Sequence, residues 1–334
     1  AGAANGDGAT AVTVNTAATV AQATTIIGAS SGAINFASGL SDDVDKLVKN
    51  DDSAVTDALA AILVRDPDAA INVADATSVA DANLLVAATT GIVTAGVTAT
   101  AAQLAGLNAD AQNNAITATV SEGEVLASDL TIIDGKTSVA VDAQLATKIS
   151  GTAAEVKSVI DAENADPQSI NIDGDYASDV SGTTVSVSDA DDIVQATDGQ
   201  VQFTGSITDS AAAMASEAAA GGNPAGTITA AFGRVTDGSG TDKGDGDVVV
   251  IVNDTANVAQ AGTIAAATTG QVRFNNGIRD TALNMVLENG NEVAEFTAAT
   301  KDDATSDGDG AASITVTTTA KVAQAKKIVD ATSV

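Results

Sequence analysis

Alternate carboxylates recur at short Gly- or Pro-containing turns, and they are the side chains in this sequence best suited to hold something. Asp173 and Asp175, Asp245 and Asp247, and Asp307 and Asp309 stand two apart, and Asp7 lies in an Asn-Gly-Asp-Gly turn. Hard oxygen ligands at that spacing suit a divalent cation, and calcium is the abundant one outside cells. The competing reading is plain: Asp and Gly are ordinary residues of solvated turns. An EF-hand is excluded, because counting from Asp237 the sixth position is Asp242 rather than Gly and no Glu stands at the twelfth.

Other chemistry finds little support. With no His and no Cys, histidine bases, thiolates, disulfides and the usual zinc and haem ligands are all missing. A serine nucleophile would need a lysine base, and Lys136, Lys148 and Lys157 fall in no Ser-x-x-Lys arrangement; they read as surface residues. The acidic pairs Asp42-Asp43, Asp191-Asp192 and Asp302-Asp303 read as solvated neighbours. Glycosidase carboxylates face each other across a cleft, usually beside sugar-stacking aromatics, and aromatic residues are only 2% of this chain. Gly244-Asp245-Gly246-Asp247 would present carboxylates to a phosphate, so no phosphate loop is read there. We therefore expect no enzyme activity.

Charge points the same way. Against 44 acidic residues there are 14 basic ones, a net charge of -30 that repels nucleic acid and anionic membrane surfaces alike. No apolar stretch approaches the ~18 residues of a membrane span, so membrane insertion is not expected. The first residue is Ala rather than Met, which reads as a processed or excised chain. Hydrophobic residues make up 45%, with one Tyr, no Trp and two Met, so a core must be built from Ala, Val, Ile and Leu. Small side chains bury little area each, which favours many short stacked units over one thick centre.

The elements that must position the turns recur. Val12-Thr13-Val14 leads into Val20-Ala21-Gln22-Ala23, Val250-Ile251-Val252 into Val258-Ala259-Gln260-Ala261, and Ile314-Thr315-Val316 into Val322-Ala323-Gln324-Ala325, with a looser copy from Ile71 to Ala82. The β-branched run reads as a strand and the Ala-rich run as a helix with one apolar stripe. Gly28, Gly91 and Gly270 stand where left-handed helix C-caps are predicted. A second half-motif follows: Ile34-Asn35-Phe36, Val201-Gln202-Phe203 and Val272-Arg273-Phe274 alternate with Phe on the buried side. Asp209 and Asp280 are then predicted N-caps of helices whose stripes are Met214 with Ala218 and Leu283 with Leu287.

The fold class is thus α/β, with tandem strand-helix-strand-helix repeats of about 45 to 70 residues forming several small stacked modules. The boundaries read from the acidic turns are 1–69, 70–114, 115–168, 169–246 with an inserted loop, 247–310, and a partial repeat at 311–334.

The pattern Val-Thr-Val-x-x-Thr-Ala-x-Val-Ala-Gln-Ala followed by Asp-Thr-Ala resembles repeats of giant acidic, Cys-free surface or secreted proteins of cyanobacteria and proteobacteria, including calcium-binding, haemolysin-type and S-layer-like ones. The resemblance covers most of the chain loosely and three copies closely. It implies secretion or a cell-surface location and roles in surface layers, adhesion or matrix, although no full Gly-Gly-x-Gly-x-Asp array is present. The function expected is an extracellular structural protein forming a filament, tube or layer as a homo-polymer, the partial repeat being completed head to tail by a neighbouring copy. The alternative is a monomeric adhesin stalk or ligand-binding module of a large secreted protein.

Overall fold

The structure is a computed structural model, and it describes residues 10–108, 114–216, 226–238, 243–303, 306–309 and 311–332. It is mixed α/β, with parallel strands and helices alternating along the chain. Two compact units divide it, one of residues 1–147 and 161–173, the other of residues 148–160 and 174–334.

In the first unit the strands Leu40–Asp42, Ile71–Thr77, Val93–Ala99, Ala115–Val120, Val141–Ala143 and Ile170–Ile172 lie side by side in one parallel sheet of six. Val12–Thr13 pairs with Ile34–Asn35 in the same sense. The helices between them are α1 (Val20–Ala29), α2 (Val44–Leu47), α3 (Asp57–Arg65), α4 (Val79–Ala88), α5 (Ala101–Leu104) and α6 (Ala127–Asp134). Helix α7 (Ala153–Glu163) begins in the second unit.

The second unit stacks Lys148–Thr152, Ala177–Ser181 and Val201–Phe203, then Thr184–Val185, Ser206–Asp209, Val249–Val252 and Val272–Phe274, then Ile278–Asp280 with Ile314–Val316, all parallel. Its helices are α8 (Val187–Ala196), α9 (Ala211–Met214), α10 (Ala230–Thr236), α11 (Val258–Ala265), α12 (Ala282–Met285), α13 (Ala294–Thr300) and α14 (Val322–Ala331).

Parallel pairing of successive strands means that the chain advances by coils, each a strand pair and a helix. Val12 pairs with Ile34, Ala18 with Leu40, Val250 with Val272 and Ala256 with Ile278, a step of 22 residues that recurs in the hydrogen bonds between coils. Each stretch read from the sequence as one strand-helix-strand-helix unit contains two such coils. In 1–69, 169–246 and 247–310 the two differ in kind. A Val coil carries one long helix opening on Val, as in α1, α8, α11 and α14. A Phe coil ends its strand on Phe36, Phe203 or Phe274, makes a one-turn helix (α2, α9, α12), reverses through an antiparallel bridge (Val48 to Val55, Ala215 to Ile228, Val286 to Glu292), and adds a second helix (α3, α10, α13). That second helix packs against the helix of the Val coil before it: α3 on α1, α10 on α8, α13 on α11. Self-similarity is strongest every second coil because like coils alternate.

The core runs along the sheets and is made mostly of Val, Ile, Leu and Ala, but its largest fully buried side chains are Tyr176, Phe232 and Phe296, and Phe36, Phe203 and Phe274 are buried as their alternation predicts. Leu283 and Leu287 depart from expectation. Helix α12 stops at Met285, so Ala282 and Met285 fill the buried stripe and both leucines are exposed. Helix α9 likewise ends at Met214, and Ala218 lies outside the described residues.

The predicted glycine C-caps are not what the backbone makes. Gly28 sits within α1 with open space around it, while Gly91 and Gly270 lie against the preceding coil. A Cβ on Gly91 would meet the Asp68 carbonyl oxygen at 2.3 Å, and one on Gly270 the Asp247 carbonyl oxygen at 2.1 Å. These glycines are required by close approach between coils rather than by a left-handed φ. Gly270→Ala is expected to lose about 3 kcal/mol or more in urea unfolding, whereas Gly28→Ala gains up to about 1 kcal/mol.

Candidate functional site

The polar side chains converge on the junctions between coils. A helix leaves its first amides without partners inside itself. In α1 the Thr19 hydroxyl accepts from the Gln22 N–H at 3.2 Å, and in α9 and α12 Ser210 and Thr281 do the same for the amide three residues on. In α1, α8 and α11 the N–H of the first helical residue stays open to the following coil, which supplies an acceptor. Val20 donates to Asp42 at 2.9 Å, Val187 to Asp209 at 3.2 Å and Val258 to Asp280 at 3.1 Å. These three acceptors stand in Phe coils.

The return service comes from the next coil in turn. Val44 donates to Asp75 at 2.8 Å, Ala211 to Asp254 at 2.7 Å, Ala101 to Glu122 at 2.6 Å and Ala282 to the Thr318 hydroxyl at 3.0 Å. A carboxylate at a helix N-terminus gains from the macrodipole as well as from the hydrogen bond. Asp209 and Asp280 therefore do not cap the helices that follow them, as local preference predicted; Ser210 and Thr281 do that, and the aspartates cap the helices one coil earlier. Asp42, read as a solvated residue, has the same role.

A second set of acceptors closes the strands. Phe36 donates its N–H to Asp66 at 2.6 Å, Phe203 to Asp245 at 2.7 Å and Phe274 to Asp309 at 2.8 Å. Hydroxyls complete the junctions: Thr89 donates to the Ala69 carbonyl at 2.8 Å and Thr268 to that of Val248 at 2.9 Å, and each accepts from the glycine N–H two residues on. Thr197 bonds the Tyr176 carbonyl in the same way.

Among the candidate cation ligands, Asp245 and Asp247 are brought together. Asp245 is buried on its Phe203 bond, and the pair lines an open recess of about 590 Å³ with Asp237, Gln202 and Thr268. Burial, and then the Asp247 carboxyl beside it, push Asp245 up to about 6, against the pull of the Phe203 N–H. Asp66 is raised for the same leading reason, burial, with Asp68 adding to it. Asp309 gives its oxygens to the Phe274 and Ala311 amides. Asp173 and Asp175 are exposed, Asp307 lies in a two-residue strand opposite Asp302, and Asp7 falls outside the described residues. Among the described residues no group of three or more His, Cys, Asp or Glu side chains could hold a metal ion.

Ion pairs also tie coils through their helices. Lys157 reaches Asp189 at 2.7 Å and Asp192 at 2.6 Å, and these bonds raise its pKa. Arg234 on α10 forks onto Asp191 of α8 at 2.6 and 2.7 Å. Asp191 is buried rather than solvated, which corrects the reading of that pair.

The chain matches no family model, no curated protein and no solved structure.

Two outcomes follow from the caps. Asp42→Ala and Asp280→Ala should each cost about 1 to 2 kcal/mol in denaturant unfolding, with Asn at either site recovering much of it. Asp245 has a native pKa above its ordinary 3.8, so the folded chain holds its proton more tightly than the unfolded one, and this group adds stability as pH falls through about 6. Asp245→Asn should therefore be more stable than wild type at about pH 7.5 and equal to it near pH 4, read from paired urea melts.

Proposed function

We propose that this chain is a structural segment of an extracellular or cell-surface protein, a stalk or spacer of stacked α/β coils that supplies length and attachment rather than catalysis. One observation carries the reading: carboxylates reach across coil junctions to backbone amides, as Asp42, Asp209, Asp254 and Asp280 do, and the candidate ligands Asp245 and Asp309 among them do the same. Side chains used in this way are parts of the scaffold. The strong negative charge agrees with a surface exposed to solvent and kept from anionic partners. Among the described residues no helix is long and apolar enough to cross a membrane.

Calcium enters this reading at one junction. Where Asp245 and Asp247 stand side by side, a divalent ion would offset the repulsion between their carboxylates. Millimolar calcium at about pH 7.5 should raise the unfolding midpoint of wild type and leave Asp247→Asn unmoved; equal shifts in both would remove calcium from the reading.

Direct head-to-tail polymerisation of identical copies is the second reading, favoured by the strands Val12–Thr13 and Ile314–Val316, each of which pairs with a single strand among the described residues. It meets an obstacle in the caps. In the coil that follows α1 and α11, Asp42 and Asp280 close the helix, but the corresponding residue of the first coil, aligned by the Ala18 to Leu40 pairing, is Val20. Negative-stain microscopy of the purified chain separates the two readings: dispersed particles are expected, and regular polymers would overturn the stalk.

A further inference from the structure

At the start of α4, inside the first unit, the junction between coils is left open and a recess stands beside it. The acceptor of a first helical amide sits two residues beyond a strand pairing. Ala18 pairs with Leu40 and Val20 meets Asp42; Val185 pairs with Ile207 and Val187 meets Asp209; Ala256 pairs with Ile278 and Val258 meets Asp280. In α4 the same count, from Thr77 on Val97, brings Val79 to Ala99, a methyl group in place of a carboxylate. Among the described residues no hydrogen bond reaches the Val79 N–H. The recess there has a volume of about 770 Å³, and Asp52, Thr98, Ser121 and Gln103 line it together with the apolar Val79, Ala80 and Ala99.

The polar groups of this recess are uncommitted. Asp52, Thr98 and Ser121 are exposed, and their side chains have no hydrogen-bond partner among the described residues. Gln103 gives its Oε1 to the N–H and the hydroxyl of Thr100, which leaves its Nε2 as a donor. Asp52, in the loop between α2 and α3, is held at φ 51° with its N–H on the Lys49 carbonyl at 2.9 Å, so a fixed turn presents its carboxylate. Together they select a class of ligand. One carboxylate beside amide donors is too little for a metal ion, and Asp52 in a chain of net charge -30 repels an anion. Two hydroxyls, one carboxylate and N–H donors set among methyl groups match an uncharged molecule that donates and accepts at short intervals, the chemistry of sugar hydroxyls around a C–H face. Neighbouring strands extend this character outward, where Asn72, Thr94, Gly96 and Thr117 are exposed and uncharged. None of the residues lining the recess is aromatic, so hydrogen bonds and methyl contacts carry the binding and a single site is weak.

We propose that the recess at the start of α4 binds a neutral oligosaccharide. Asp52 accepts from sugar hydroxyls, Thr98, Ser121 and the Gln103 Nε2 complete the polar contacts, and the Val79 N–H donates to a sugar oxygen in the place that Asp42 or Asp280 takes at other junctions. This rests on the recess alone and goes beyond the stalk reading, which microscopy tests separately.

The test titrates the full chain with cellotetraose, maltotetraose, mannotetraose and chitotetraose, followed by NMR amide shifts, with tetragalacturonate and spermidine as charged controls. At least one neutral probe should saturate with the Val79 amide among the most shifted, and both charged controls should bind about tenfold more weakly or worse. Asp52→Asn, at an exposed side chain that the fold does not use, should weaken the binding about tenfold. Thr98→Val should weaken it about fivefold, with Thr98→Ser restoring it. Ala99→Asp supplies the missing acceptor, so it should raise the urea midpoint and abolish binding, the higher midpoint showing that the variant is folded. Failure of every neutral probe at about 10 mM, tighter binding of either charged control, or binding unchanged by both Asp52→Asn and Ala99→Asp overturns the proposal.

Discussion

The stack depends on the amide of the first residue of α1, α2, α5, α8, α9, α11 and α12, which finds its acceptor in the next coil. Ser, Thr and Asn caps within the coil close the amide three residues on, and the first amide waits for an acceptor from the next coil. One hydrogen bond of this kind fixes three things together: where the helix starts, how far the next strand has advanced, and which residue stands at its end. The apolar core could tolerate a small slip between coils. A charge-assisted bond to a single N–H could not.

Part of the acidity of the chain follows from the same geometry. An acceptor that also favours the positive end of a helix is best made from Asp or Glu, and six of the seven acceptors described at helix starts are carboxylates. Three more, Asp66, Asp245 and Asp309, close strand amides. Repulsion between neighbours then collects at turns such as Asp245-Gly246-Asp247, where burial has already raised one member of the pair. Nine of the 44 acidic residues thus serve to join coils.

Much of the architecture was legible in the residues. Strand and helix phases, the three Phe strands and the buried side of Val20 and Val258 all follow from local periodicity. What escaped depends on contacts between coils. Asp209 and Asp280 read as N-caps of their own helices because both preferences point to the same residue type, and only the register shows that the neighbouring Ser210 and Thr281 hold that place. Gly91 and Gly270 read as C-caps because a glycine after a helix is common; the real requirement, a carbonyl of the preceding coil within reach of any Cβ, leaves no local mark. The step of 22 residues was hidden because successive coils differ, so the eye finds every second one.

Alternation has a consequence for how such a chain can change length. A Val coil is seated through Gln260 or Gln324 on the Phe coil before it and closed by Asp280 or its equivalents from the Phe coil after it. Removing one coil would set two of a kind face to face, leaving an amide and a buried glutamine amide group without acceptors at the same seam. Removing two restores every bond. From Val249 to Ala331, where the two kinds alternate, the architecture therefore carries a parity, and a change of length there keeps its bonds only in even numbers of coils.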